Sequence, residues 1–162
     1  MSKVSEQATV IVQIADFANI DQTGKGNILG VGGNIIPLGA AGMTPRFSVF
    51  AEIHIPAELC PCEVTVEYAL RNDGNSVVSL PGPVPKPMRV ASILTLDAAL
   101  NGLQLDQRNH IGAVKLNTLD FSNGLPLTPG NYYWEITLDG DNQRAVRRAF
   151  CVPKPAVPPV VG

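Results

Sequence analysis

Cys60, Cys62, Cys151, His54 and His110 are the side chains whose chemistry could serve a metal ion or a nucleophilic reaction. Thiolates joined by an imidazole suit zinc, so Cys60, Cys62, Cys151 and His54 form the candidate set if folding brings them together. Their spacing follows no zinc-knuckle pattern. Cys60-Pro61-Cys62 is one residue short of a redox Cys-x-x-Cys, and a disulfide bridging i to i+2 would be badly strained. Three cysteines is an odd count, which argues for reduced thiols acting as small hydrophobic side chains. The expectation is no metal and no cofactor.

Other constellations read the same way. The sequence has neither G-x-S-x-G nor H-E-x-x-H, and His54 has no neighbouring Ser or Cys nucleophile. Gly30-Val31-Gly32-Gly33 lacks the G-x-G-x-x-G spacing and a following helix whose N-terminus could hold a phosphate. Asp16 and Asp21 lack the dense oxygen ligands of a calcium loop. Glu63 and Glu67 alternate outward on a strand, as solvated carboxylates do. The protein is expected not to be an enzyme.

The elements that carry these residues are strands. The chain has 162 residues with 15 Gly and 14 Pro, a composition suited to many short strands and turns. Phe47, Val49, Ala51, Ile53 and Ile55 alternate with Ser48, Phe50, Glu52 and His54, which predicts a half-buried strand with His54 on the wetter face. Val64, Val66, Tyr68 and Leu70 form a second inward stripe, closed by the Asn72-Asp73-Gly74-Asn75 turn. Tyr132, Trp134, Ile136 and Leu138 form a third, with Glu135, Thr137 and Asp139 outward. Val146, Phe150 and Val152 answer it, but Arg148 falls in the same inward register, so a bulge or a partner is expected there.

Ala8–Leu38 is expected to be a hairpin of two apolar strands, Thr9–Ile14 and Asn27–Ile36, joined by an Asp21–Gly26 turn and buried on both faces. Asp97–Leu103 is read as a helical turn capped by Asp97, Gln104–His110 as polar loop, and Ile111–Phe121 as a strand with a bulge at Asn117-Thr118. Pro81–Pro87 is an extended crossing. The expected fold is all-β: a single antiparallel β-sandwich, or partly closed barrel, of about eight or nine strands. Residues 1–7 form an extended N-terminal arm, 8–152 the sandwich, and 153–162 an extended Pro-rich C-terminal arm.

A net charge of −2 offers no broad field for nucleic acid or an anionic membrane. Arg144, Arg147, Arg148 and Lys154 are basic but lack interleaved aromatics. The opening residues hold no apolar run of signal-peptide kind, and no stretch approaches the roughly 20 apolar residues of a membrane span. The expected setting is cytoplasmic, or a particle assembled in a host cytoplasm.

Ala15-Asp16, Asp21-x-x-Gly24-Lys25-x-Asn27-Ile28-x-Gly30 and the Pro129-Gly130-x-Tyr132-x-Trp134-x-Ile136 hairpin with Phe150-x-Val152 carry a resemblance. They are similar to an uncharacterised family of small β-sandwich proteins of bacteria and their phages, over about a third of the chain. The proline bridge, the 97–110 insert and the tail depart from that pattern. The resemblance implies a fold and a phage or bacterial setting, and no site residues. The function expected is therefore a structural virion component, capsid-decorating or tail-associated. Its terminal arms, through Pro153, Pro155, Pro158 and Pro159, and its Arg148 would contact capsid or tail proteins and other copies of itself. The alternative is a small binding module for a sugar, metal or peptide, using loops 39–45 and 97–110.

Overall fold

The computed structural model describes residues 2–98 and 102–155. The strands are β1 (Thr9–Ala15), β2 (Phe17–Ile20), β3 (Gly26–Leu29), β4 (Phe47–Ile55), β5 (Cys62–Asn72), β6 (Ser79–Leu80), β7 (Lys86–Pro87), β8 (Arg89–Leu96), β9 (Ala113–Phe121), β10 (Gly130–Leu138) and β11 (Val146–Val152). Two short helices, α1 (Lys3–Gln7) and α2 (Leu105–Ile111), accompany them. A three-stranded layer, β1-β4-β9, faces a four-stranded layer, β11-β10-β5-β8, and every pairing within them is antiparallel. Two-stranded ribbons, β2-β3 and β6-β7, stand outside these layers. The fold is an all-β sandwich, and among the described residues no sheet closes into a barrel.

The period-2 stripes decide which faces meet. Phe47, Val49, Ala51, Ile53 and Ile55 of β4 oppose Val64, Val66, Tyr68 and Leu70 of β5 and Tyr132, Trp134, Ile136 and Leu138 of β10, all within one buried cluster. Each Val, Leu, Ile or Phe among them contributes about 1.5–3 kcal/mol by leaving water. Aromatic contacts run through the core: Tyr132 stacks on Phe150 at 5.6 Å, Phe150 meets Phe47 at 6.5 Å, Phe47 meets Phe121 at 4.9 Å, and Phe121 stacks on Trp134 at 5.4 Å. Because Phe47 and Phe121 belong to one layer and the others to its partner, this chain of rings joins the sheets.

Several local expectations are corrected. The N-terminal arm is not extended: Lys3–Gln7 is helical, with Ser2 accepting from the Ser5 N–H at 3.0 Å as its cap. That helix is tied to the domain. Ser2 donates to Asp139 at 2.5 Å, Ser5 to Asp141 at 3.1 Å, and Arg144 reaches the Glu6 carbonyl at 2.9 Å. The apolar 8–38 segment is not one long hairpin buried on both faces. β1 is an edge strand with Ile11 exposed on its outer side, and the return strand stops at Leu29. The 97–110 insert holds a helix where a loop was read. Gln104 and Gln107 form a reciprocal capping box, a signature that glutamine at the cap disguises. No bulge interrupts β9; Asn117 pairs with Ala51 and Thr118 with Phe50 in unbroken register. Leu119 and Phe121 face the core, and Leu116 faces outward beneath the β2-β3 ribbon. That ribbon gives an apolar residue on the outer face something to cover, so parity need not slip.

Candidate functional site

The β2-β3 ribbon and the strap that follows it form the site. Asp21 shapes the ribbon's turn: its Oδ1 accepts from the Thr23 N–H at 2.8 Å, the Thr23 hydroxyl at 2.6 Å and the Lys25 N–H at 3.1 Å. The Thr23 hydroxyl foremost, and then the backbone N–H of Lys25, hold the Asp21 carboxyl below its ordinary value. Gly24 completes the turn at φ 81°. Gly26 lets the ribbon lie directly on the Phe50 ring, since a Cβ there would come within 2.9 Å of it.

A polar clamp fixes the ribbon's base. The fully buried Ser48 accepts from the Ala18 N–H at 3.0 Å and donates to Asp120 at 2.9 Å. Arg46 grips Asp120 through two contacts of 3.3 and 2.9 Å and lies over the Phe17 ring at 4.5 Å. The Arg46 hydrogen bond leads in holding Asp120 below its ordinary value.

From Leu29 the chain crosses the open side of the sandwich. The Gly32 N–H reaches the Ile14 carbonyl of β1 at 3.3 Å, while Asn34 and Ile36 bond both main-chain groups of Cys151 on β11 at 2.8 and 2.9 Å. The strap thereby links an edge of one sheet to an edge of the other. Beneath it lies a small cavity of about 100 Å³, lined by Ile14, Asp16, Ile36 and Arg46 among others. Above it stand Leu29, Val31 and Ile35, exposed by 68, 54 and 62%. These are large aliphatic side chains held in water by a tied backbone.

A second polar cluster covers the outer face of the four-stranded sheet. Glu135 is 5% exposed, although it sits at an outward position. Arg71 Nε donates to its Oε1 at 2.6 Å and Arg147 Nε to its Oε2 at 2.8 Å. Arg147 also lies over the Tyr133 ring at 4.8 Å, Tyr133 donates its hydroxyl to Asn75, and Arg71 donates to the Asn75 carbonyl at 2.9 Å. Burial alone would raise the Glu135 carboxyl; the hydrogen bonds and charges of Arg147 and Arg71 outweigh it and hold the group low. This cluster locks β5, β10 and β11 together and pins the 72–76 turn. Alternation marked Glu135 as outward but could not reveal two arginines converging on it from neighbouring strands.

The metal candidates do not converge. Cys62 opens β5, whereas Cys151 lies beside Asn131 near the other end of the sheet. The intervening strand puts them roughly 30 Å apart. His54 bonds Glu52 at 2.6 Å on the outer face of the other layer. Burial first, then the adjacent Cys60 thiol, pushes the Cys62 thiol up to about 11, away from the thiolate a metal needs. Among the described residues no three His, Cys, Asp or Glu side chains come together as metal ligands.

Of the interaction candidates, Pro153 and Pro155 follow β11 on the exposed surface, while Pro158 and Pro159 lie outside the described residues. The bulge expected at Arg148 is not found: its register opposite Trp134 is unbroken, and among the described residues its buried Nε has no hydrogen-bond partner. It projects into the sandwich from an edge strand, away from Arg147. No protein-family model matches the sequence, and no curated protein shows significant similarity to it. Among the described residues no helix is long and apolar enough to cross a membrane.

Proposed function

We propose that this chain is a non-enzymatic structural protein that acts by assembling with other protein chains. The observation that carries the reading is the stripe Leu29, Val31 and Ile35, held out from the sandwich by the Ser48–Asp120–Arg46 clamp and the strap bonds. Such a surface has a standing cost in water that a covering protein removes. The setting proposed is a bacteriophage virion, as a capsid-decorating or tail-associated component, which the resemblance of the opening segment and the β10–β11 hairpin implies. With the N-terminal segment folded back on its own domain, the reach toward neighbours passes to the Pro-rich segment from Pro153.

Deleting residues 153–162 is expected to abolish incorporation into particles while the isolated domain keeps its circular dichroism and unfolding midpoint. Leu29→Ser combined with Ile35→Ser should lower incorporation with little change in stability, since both side chains are already in water. Normal incorporation of both variants would refute the reading.

A second reading rests on α2. Leu103, Leu105 and Ile111 are exposed, and an open depression beside them is lined by Asp106, Gln107 and His110. This is a docking place for a small ligand or peptide in the 97–110 insert. Loop 39–45 is the weaker half of that reading: Thr44 is buried and bonded to Leu125 through its N–H and its side chain. A ligand at a hundred times its Kd would stabilise the folded chain by about 2.7 kcal/mol. A thermal-shift screen with sugars, metal ions and peptides should then show a rise in Tm that Leu105→Asp removes. No rise with any of them would reject this reading.

A further inference from the structure

The edges of the two sheets are not finished alike. β1 is tied at Ile14 by the strap, and β11 at Cys151 by Asn34 and Ile36. β11 also carries Arg148 in its inward register, opposite the fully buried Trp134. β9 carries Lys115 in its inward register, opposite the fully buried Ile53. Inward-pointing charges and covering segments are the devices by which edge strands avoid pairing with another chain. β8 has none of them. From Arg89 to Leu96 it contains no Pro, Gly or Lys, its inward positions are Val90, Ser92, Leu94 and Leu96, and among the described residues no strand pairs with its far side. Ile93, at its centre, is 70% exposed.

The direction of its free main-chain groups follows from the ladder. Leu70 and Met88 stand opposite each other beyond the Ala69–Arg89 pair, and the Leu70 N–H bonds the Met88 carbonyl. Even-numbered residues of β8 therefore turn their N–H and C=O toward β5. Arg89, Ala91, Ile93 and Thr95 turn theirs outward, and their side chains share the outer face of the sheet.

We propose that β8 pairs antiparallel with β8 of a second copy across a two-fold axis at Ile93, joining two four-stranded layers into one continuous sheet. In this register Ile93 meets Ile93 of the other copy and Ala91 meets Thr95. Arg89, which also pairs with Glu67 of its own chain at 3.3 Å, meets Asp97, the residue after the strand, so residues of opposite sign stand at both ends of the pairing. The Ile93–Ile93 and Ala91–Thr95 pairs consist of outward-turned residues able to exchange two main-chain hydrogen bonds. The two-fold repeats each contact, as a closed dimer requires. This inference does not rest on the virion reading, because the purified chain alone tests it.

Sedimentation of the full chain over a range of concentrations should show a monomer–dimer equilibrium. Ala91→Pro removes an outward N–H at a position an edge strand tolerates, and Ile93→Lys sets two ammonium groups face to face. Each should weaken Kd by roughly tenfold or more, about 1.4 kcal/mol, with an unchanged unfolding midpoint for the monomer. Ile93→Cys should cross-link to itself on mild oxidation, since facing Cα atoms in such a pair stand about 5.5 Å apart, and peptide mapping would place the bond between the introduced thiols. Thr95→Cys should not self-link, yet should link to Ala91→Cys when the two chains are mixed. A monomer at every concentration would overturn the proposal. So would a dimer indifferent to Ala91→Pro and Ile93→Lys, or cross-links that ignore this register.

Discussion

Trp134→Ala is expected to lower the unfolding free energy by about 3–5 kcal/mol. Trp134 is fully buried, between Leu70 of β5 and Arg148 of β11, and stacks on Phe121 from the opposite layer. Removing the indole deletes packing within its own sheet and the contact that joins it to the other. Among the described residues, however, its Nε1 has no hydrogen-bond partner, and the neighbouring Arg148 Nε is another donor without an acceptor. An unpaired buried N–H costs about 1–3 kcal/mol. Trp134→Phe removes that cost along with part of the ring, so it should destabilise much less than the alanine variant. Urea unfolding of the three proteins checks this: the phenylalanine variant should lie closer to wild type than to alanine. Equal losses would mean that indole volume alone matters there.

Glu135→Gln should also have a large effect, a loss approaching about 3 kcal/mol at neutral pH. Arg71, with its side chain only 17% exposed, loses its counter-charge, while the half-exposed Arg147 is compensated by water. The pH dependence carries the signature. Glu135 is held below its ordinary 4.5 in the folded chain. The ion pairs therefore contribute stability that is present above about pH 4.5 and is lost as pH falls through the lower folded value. Wild type should lose stability across that acid window, and Glu135→Gln, already weaker at neutral pH, should lose less. The curves should converge at the acid end. Parallel curves would show that the carboxylate charge contributes nothing.

Which residues face the core was legible in the sequence wherever strands alternate cleanly. β4, β5, β10 and β11 each show their inward stripe, because one face of each strand is buried and the side-chain period is two. Helix α2 was obscured by a glutamine cap and by the lack of a buried face, since none of its residues is buried. The ribbon was misread because its apolar residues suggested burial. Ile28 and Leu29 are exposed, and the ribbon is held instead by the Ala18–Ser48 bond and the Gly26–Phe50 contact.

The sequence by itself determined an all-β sandwich, its principal inward stripes and the turns between them, since strand period and turn chemistry are local properties. Only the tertiary structure decided which strands became edges, and with that the protein's surfaces. Arg148 reads as a conflict along a single strand, and nothing along the chain sets Lys115 or Ile93 apart. Their roles depend on whether another strand lies beside them. That neighbour comes from distant sequence, and hydrogen-bonded partners across a sheet leave no periodic trace along the chain.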